Sequence, residues 1–228
     1  MNVINGKRGW TKMRDKYMKQ LENLNNNMIE MGAMIEKSIE NAISALVRQD
    51  VETAKKAIEY DAEIDEMEKN IENMCMKILL SQQPVASDLR TVSSALKMVT
   101  DMERIGDQAQ DIADIAININ SEEINDHVHI RNMSETALSM VSKSIDAFVK
   151  KDVSTAEEVI KMDDIVDEGF DKIKEELIQA VREDSKKSEE YIDILMIAKY
   201  IERIGDHAVN IAEWVEYSVT GTHRKGEL

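Results

Sequence analysis

Apolar residues recur at threes, fours and sevens along the first fifty positions: Trp10, Tyr17, Leu21, Leu24, Met28, Met31, Ile35, Ile39, Ala42 and Leu46. At 3.6 residues per turn this spacing lays one apolar stripe down a long amphipathic helix. Asp50 follows, and its short carboxylate suits it to cap the free amides of a second helix. That helix is expected to end before SQQPVASD, where Pro84 marks the break or the first turn of a third helix running to near Asn118. After the segment NSEEIND the plan repeats, with helices expected near 124–150, 153–184 and 188–219.

The two halves share residues as well as pattern. Shifted by 102, Asp50, Val51, Thr53, Ala54, Ile58, Asp61, Asp65 and Ile71 fall on Asp152, Val153, Thr155, Ala156, Ile160, Asp163, Asp167 and Ile173. Further along the shift is 99, and the string Glu103-Arg104-Ile105-Gly106-Asp107 falls on Glu202-Arg203-Ile204-Gly205-Asp206, so the second copy has lost three residues in a loop. The expectation is an all-α protein of two tandem three-helix bundles, residues 1–120 and 121–228, the first preceded by a short basic extension over 1–12. Short loops make neighbouring helices antiparallel.

On the third helix of each copy an apolar stripe turns acidic. Leu89, Val92, Leu96 and Val99 lie within about 40° of the direction of Glu103 on a helical wheel, and the same face continues as Glu103, Asp107 and Asp114, with Asp111 beside it. In the second copy Tyr191, Leu195 and Ala198 give way to Glu202, Asp206 and Glu213, with Asn210 where Asp111 stood. The middle helices add Asp61 with Asp65, and Asp163 with Asp167. Like charges one turn apart cost an exposed helix roughly 0.2–0.5 kcal/mol per pair, and more when desolvated together. Multivalent cations held by oxygen ligands would compensate. The plain alternative is a solvated acidic stripe; both copies retaining the paired acids favours a site. Gly106 and Gly205 cost about 1 kcal/mol each in mid-helix against Ala, which points to a close approach by a neighbouring helix or a ligand.

Composition narrows the function. A net charge of −16 argues against wrapping a phosphate backbone, which draws its affinity from clustered Lys and Arg. The stretch GKRGWTKMRDKYMK is the basic exception, readable as a solvated helix start or as a contact with a membrane surface or an acidic partner. No apolar run approaches the ~18 residues of a membrane span, and no secretory leader is legible, so a cytoplasmic protein is expected. The single cysteine, Cys75, excludes an internal disulfide and a thiolate zinc cluster. No Glu-x-x-His occurs, so the ligand set of ferritin-like di-iron oxidases is missing. His207 reads as a packing or surface histidine, His127 and His129 with Asp126 as a polar turn, and the methionines as core. There is no phosphate loop and no Ser/His/Asp set.

The strings DLRTVSSALKMVTDMERIGDQAQDIA and YIDILMIAKYIERIGDHAVNIAE, with MGAMIEKSIENAISAL and EYDAEID before them, resemble the paired signatures of the PhoU family over nearly the whole chain. The resemblance implies a non-enzymatic negative regulator of phosphate uptake and of the phosphate-starvation response. Its implied partners are the ATPase subunit of a phosphate ABC transporter and a membrane sensor histidine kinase. It further implies iron or zinc clusters on Glu103, Asp107, Glu202 and Asp206, joined by Asp61, Asp65, Asp163, Asp167, Asp111 and Asn210, and a homodimer. For that dimer, Met98, Met102, Ile105, Ala109 and Ile112 on the remaining faces of the third helix offer an apolar surface. A carboxylate-bound metal enzyme and a metal-free helical scaffold are the alternatives.

Overall fold

Asp50 and Asp152 do the same work at the same place in each half. Each carboxylate accepts from two first-turn amides, Glu52 and Thr53 in one copy, Ser154 and Thr155 in the other, and from the Thr53 or Thr155 hydroxyl at 2.7 and 2.8 Å. These bonds hold both carboxyls below their ordinary range. The residue before each cap, Gln49 or Lys151, turns left-handed at φ 52° or 55°. The caps' own amides reach back to Ala45 O and Ala147 O and close the preceding helix. The duplication therefore extends to backbone dihedrals.

The computed structural model describes residues 2–81, 86–119 and 128–223, with side chains over 14–80, 86–119 and 129–223. Six α-helices make up the fold among them: α1 Asn2–Arg48, α2 Val51–Ser81, α3 Ala86–Ala116, α4 Val128–Lys150, α5 Val153–Glu183 and α6 Ser188–Thr220. A single 3-10 turn, Ser185–Lys187, capped by Asp184, joins α5 to α6. The expected first turn of the fourth helix, together with His127 and Asp126, lies outside the described residues. Helices α1 to α3 form one bundle and α4 to α6 the other, as predicted. Among the described residues, no helix is long and apolar enough to cross a membrane.

The bundles meet along α3 and α6, the most extensive helix pair in the molecule. Arg90 near the start of α3 donates to Ser218 O near the end of α6, while Asp101 meets Asn210, so the pair runs antiparallel. Met98, Met102, Ile105, Ala109 and Ile112 are fully buried, and so are Ile197, Ala208 and Ile211 of α6. Together with the inner stripes of α1, α2, α4 and α5 they make one continuous core. The girth of α3 that offered a dimer surface in the sequence is thus consumed within the chain. Part of the apolar face of α3 is thus covered by α6 of the duplicate rather than by its own bundle.

Candidate metal centre

The outer faces of α2 with α3, and of α5 with α6, carry the acids. In the first bundle Asp61, Asp65, Glu103, Asp107 and Asp111 are all half-buried, and they are joined by Glu68, one turn beyond Asp65. Burial, then Asp107, Asp65 and Asp111 push the Asp61 carboxyl up. Glu103 rises to about 7, through burial first and then Asp107, with Arg104 opposing. Glu68 and Asp111 move the same way, again chiefly through burial. Six carboxylates thus face one another across two helices.

The second bundle holds a thinner version. Asp163 is driven up to about 6 by burial and then by Asp167, Asp206 and Glu202, and Asp167 rises for similar reasons. Asp206 and Asp167 are exposed, however, and the positions matching Glu68 and Thr100 hold Phe170 and Lys199. The Lys199 ammonium bonds Glu202 while resting 5.4 Å from the Phe170 ring centre. In the first bundle the nearest cation is Arg104, which donates to Asp107 at 2.8 Å from a half-exposed position at the rim.

The mid-helix glycines explain how α2 and α5 come so close. A Cβ on Gly106 would stand 3.1 Å from Cδ1 of Ile64, and one on Gly205 would stand 3.2 Å from Oδ1 of Asp163. The neighbouring helix therefore lies on the glycine backbone beside the acids, as their position in the sequence suggests. Three carboxylate oxygens in these clusters, Asp61 Oδ1, Glu103 Oε2 and Asp163 Oδ1, are buried without a hydrogen bond, Glu103 Oε2 even with Arg104 Nε 3.4 Å away. Buried acceptors are ordinarily satisfied, so these orphaned oxygens suit a cation. Among the described residues, no group of three or more His, Cys, Asp or Glu is already gathered around one point. The donor set is all oxygen, which fits hard cations better than the nitrogen and sulfur ligands typical of structural zinc.

Two candidates from the sequence sit elsewhere. Asn210 gives its amide to Asp101 Oδ1 at 3.1 Å across the seam between the bundles, and His207 Nδ1 lies 2.9 Å from the same oxygen. Asp111 stands at the border: it faces Asp107 and Asp61 on one side and Tyr200 and Arg203 of α6 on the other. The shift of 99 places Asp101 on Tyr200 and Asp111 on Asn210, so the two contacts are copies related by the internal repeat. Asp114 is exposed at the end of the acidic face. His129 pairs with Glu176 at 3.3 Å rather than with its own turn. Cys75 is buried, with its thiol pushed up to about 12, chiefly by that burial, and is no nucleophile near neutral pH.

The PhoU domain matches this chain twice, over residues 28–116 and 130–215. A phosphate-specific transport system accessory protein PhoU homolog of Clostridium acetobutylicum is 40% identical over 210 residues, covering 91% of this chain and 96% of the relative. The crystal structure of PhoU from Pseudomonas aeruginosa superposes with a TM-score of 0.83 at 35% identity, covering 90% of this chain and all of that one. The phosphate transport system regulatory protein PhoU from Streptococcus pneumoniae gives 0.85 at 26% identity, over 92% of this chain and all of that one. With both halves of its duplicated, acid-bearing fold matched in this way, the chain belongs to the PhoU family.

Proposed function

We propose that the protein is an accessory regulator of a phosphate-specific transport system. It acts in the cytoplasm and restrains phosphate uptake and the starvation response by contact with the transporter ATPase subunit and a membrane sensor kinase. The observation that carries this reading is the likeness, over nine-tenths of the chain, to proteins described as phosphate transport accessory and regulatory proteins. A regulator rather than an enzyme is the reading supported by the relatives, which are described as accessory and regulatory proteins. Bound iron, or less favourably zinc, would neutralise the facing acids and tie α2 to α3 and α5 to α6. Glu103, Asp107, Asp61, Asp65 and Glu68 would hold it in the first cluster, and Glu202, Asp206, Asp163 and Asp167 in the second. With more carboxylates and deeper burial, the first is the stronger site.

Alkaline phosphatase, as a reporter of starvation genes, tests the biology in phosphate-rich medium. A strain lacking the gene is expected to express it at high level and the complemented strain at low level. A deletion strain as silent as its parent, in a genome with no second copy, contradicts the regulatory role.

A further inference from the structure

The two bundles carry the same acid pairs but not the same surface beside them. At the end of the first bundle, where α2 finishes and α3 begins, Leu80 is 81% exposed, Leu89 48% and Met76 47%. Met76 and Leu96 line one shallow groove between the two helices, together with Glu72, Asn73, Lys97 and Thr100. On α2, Leu80, Met76, Glu72 and Glu68 follow one another at four-residue steps, the row that a helix presents as a ridge. On α3, Leu89, Leu96 and Glu103 recur at sevens and share one face. Both walls of the groove therefore pass from apolar at the end of the bundle to acidic toward its middle. Glu68 is half-buried at the acidic end, its carboxyl pushed up by that burial and then by Glu72. From Leu80 to Glu68 the strip runs twelve residues of helix, ~18 Å.

The internal repeat supplies a control. On the shifts of 102 and 99, Leu80 falls on Arg182, Leu89 on Ser188, Glu72 on Lys174 and Glu68 on Phe170. Lys174 pairs with Asp171, and its ammonium lies 5.5 Å from the Phe170 ring centre. In the second bundle this row is thus basic where the first is apolar or acidic. Both copies fold into the same three-helix plan, so the plan does not require Leu80, Leu89, Glu72 and Glu68 in these places. A leucine 81% exposed also gains its own bundle almost nothing by burial.

Charge selects the occupant of such a strip. Carboxylates beside the leucines repel an anionic lipid surface and a nucleic-acid backbone alike. A groove between two antiparallel helices accepts a third helix, read through anchors at threes, fours and sevens. We propose that this strip of the first bundle docks a basic amphipathic helix of a partner protein. Apolar anchors at one end of that helix would cover Leu80, Leu89 and Met76, and Lys or Arg at its other end would meet Glu72 and Glu68. The inference rests on the reading of the protein as a regulator that acts by contact; it adds which face makes one such contact and what chemistry the partner brings.

Fluorescence anisotropy tests it on the metal-free full chain, with a labelled helical peptide of about sixteen residues as probe, leucines on one face of one half and lysines on the other half. The proteins compared are the wild type, Leu80→Asp/Leu89→Asp, Glu68→Gln/Glu72→Gln and, on the second bundle, Ile178→Asp/Ile192→Asp. Ile178 and Ile192 are 48% and 58% exposed, so they match the altered leucines in kind, and circular dichroism melts check that every variant folds. The wild type is expected to bind the probe, the leucine and glutamate variants each more than about tenfold more weakly, and the second-bundle variant within about twofold of the wild type. Raising salt from about 50 to 500 mM should weaken the wild type strongly and the glutamine variant little. Probes with Glu for Lys, or Ser for Leu, should not bind. Absent binding, binding untouched by the leucine variant, or equal weakening by the second-bundle variant overturns the proposal. A wild type that pellets with phosphatidylglycerol vesicles where the leucine variant does not also overturns it, and assigns the strip to a membrane surface. Each of these failures leaves the alkaline phosphatase result, and with it the regulatory reading, standing.

Discussion

Changing Glu103 to Gln together with Asp163 to Asn is expected to stabilise the metal-free protein at pH 8, by on the order of 1–2 kcal/mol per site after allowance for solvent screening. In the native state Glu103 titrates at about 7 instead of 4.5, and Asp163 at about 6 instead of 3.8, because both are partly buried among other carboxylates. Raised native values mean that the folded protein holds more protons than the unfolded chain between about pH 4 and 7. These groups therefore cost no stability below that window, and their destabilisation grows as pH climbs through it and is complete above. Asp61, Glu68, Asp111 and Asp167 shift in the same direction and deepen the slope. Thermal melts from pH 4.5 to 8 check this. The wild-type melting temperature should fall with rising pH in the absence of metal, and the amide variant should hold a flatter profile several degrees higher at pH 8. Added ferrous iron should raise the wild type far more than the variant, since ligand binding to the native state alone is stabilising. A wild type that melts independently of pH and iron would show the acids to be plainly solvated.

The second large effect lies in the seam. Ile105 is fully buried where α3 meets α6, and its repeat mate Ile204 is 1% exposed. Ile105→Ala is expected to cost ~2–5 kcal/mol, lost burial plus a residual cavity, and to lower the melting temperature by ~5–15 °C for a chain of this size. Because the two bundles share one core, unfolding should remain a single transition in both proteins. Scanning calorimetry reads both quantities. Two separable transitions, or a loss below 1 kcal/mol, would mean that each bundle stands alone.

Much of this architecture is legible in the sequence because it is written twice. The capping aspartates follow from a local rule that needs no partner, and the structure finds both in place, while the mid-helix glycines, which propensity disfavours, announce a close neighbour, and Ile64 and Asp163 lie against them. The acid pairs are legible for the same reason. What escaped is what the repeat does not duplicate, or what only packing decides. Glu68 has Phe170 as its mate and Thr100 has Lys199, so a reading that trusted duplication passed over the residues that make the two clusters unequal. The seam contacts of Asp101 with His207 and Asn210 join helices more than a hundred residues apart in sequence. Each is an ordinary polar residue on an amphipathic helix until α3 and α6 are docked. The shift of 99 carried the clue, since it pairs Asp101 with Tyr200 and Asp111 with Asn210, and neither match preserves identity. The apolar girth of α3 was legible too, but a periodic stripe does not say whether it faces its own chain or another.

Metal content decides the account of the clusters most directly. Metal-free wild type, the variant Glu103→Ala/Asp107→Ala, the variant Glu202→Ala/Asp206→Ala and the fourfold combination would be dialysed anaerobically against ferrous iron, freed of excess, and analysed by plasma mass spectrometry. Bound iron is expected in the wild type, with a larger loss when the first cluster is altered than when the second is, and background levels in the fourfold variant. Equal background iron in all four proteins would contradict metal binding at the clusters.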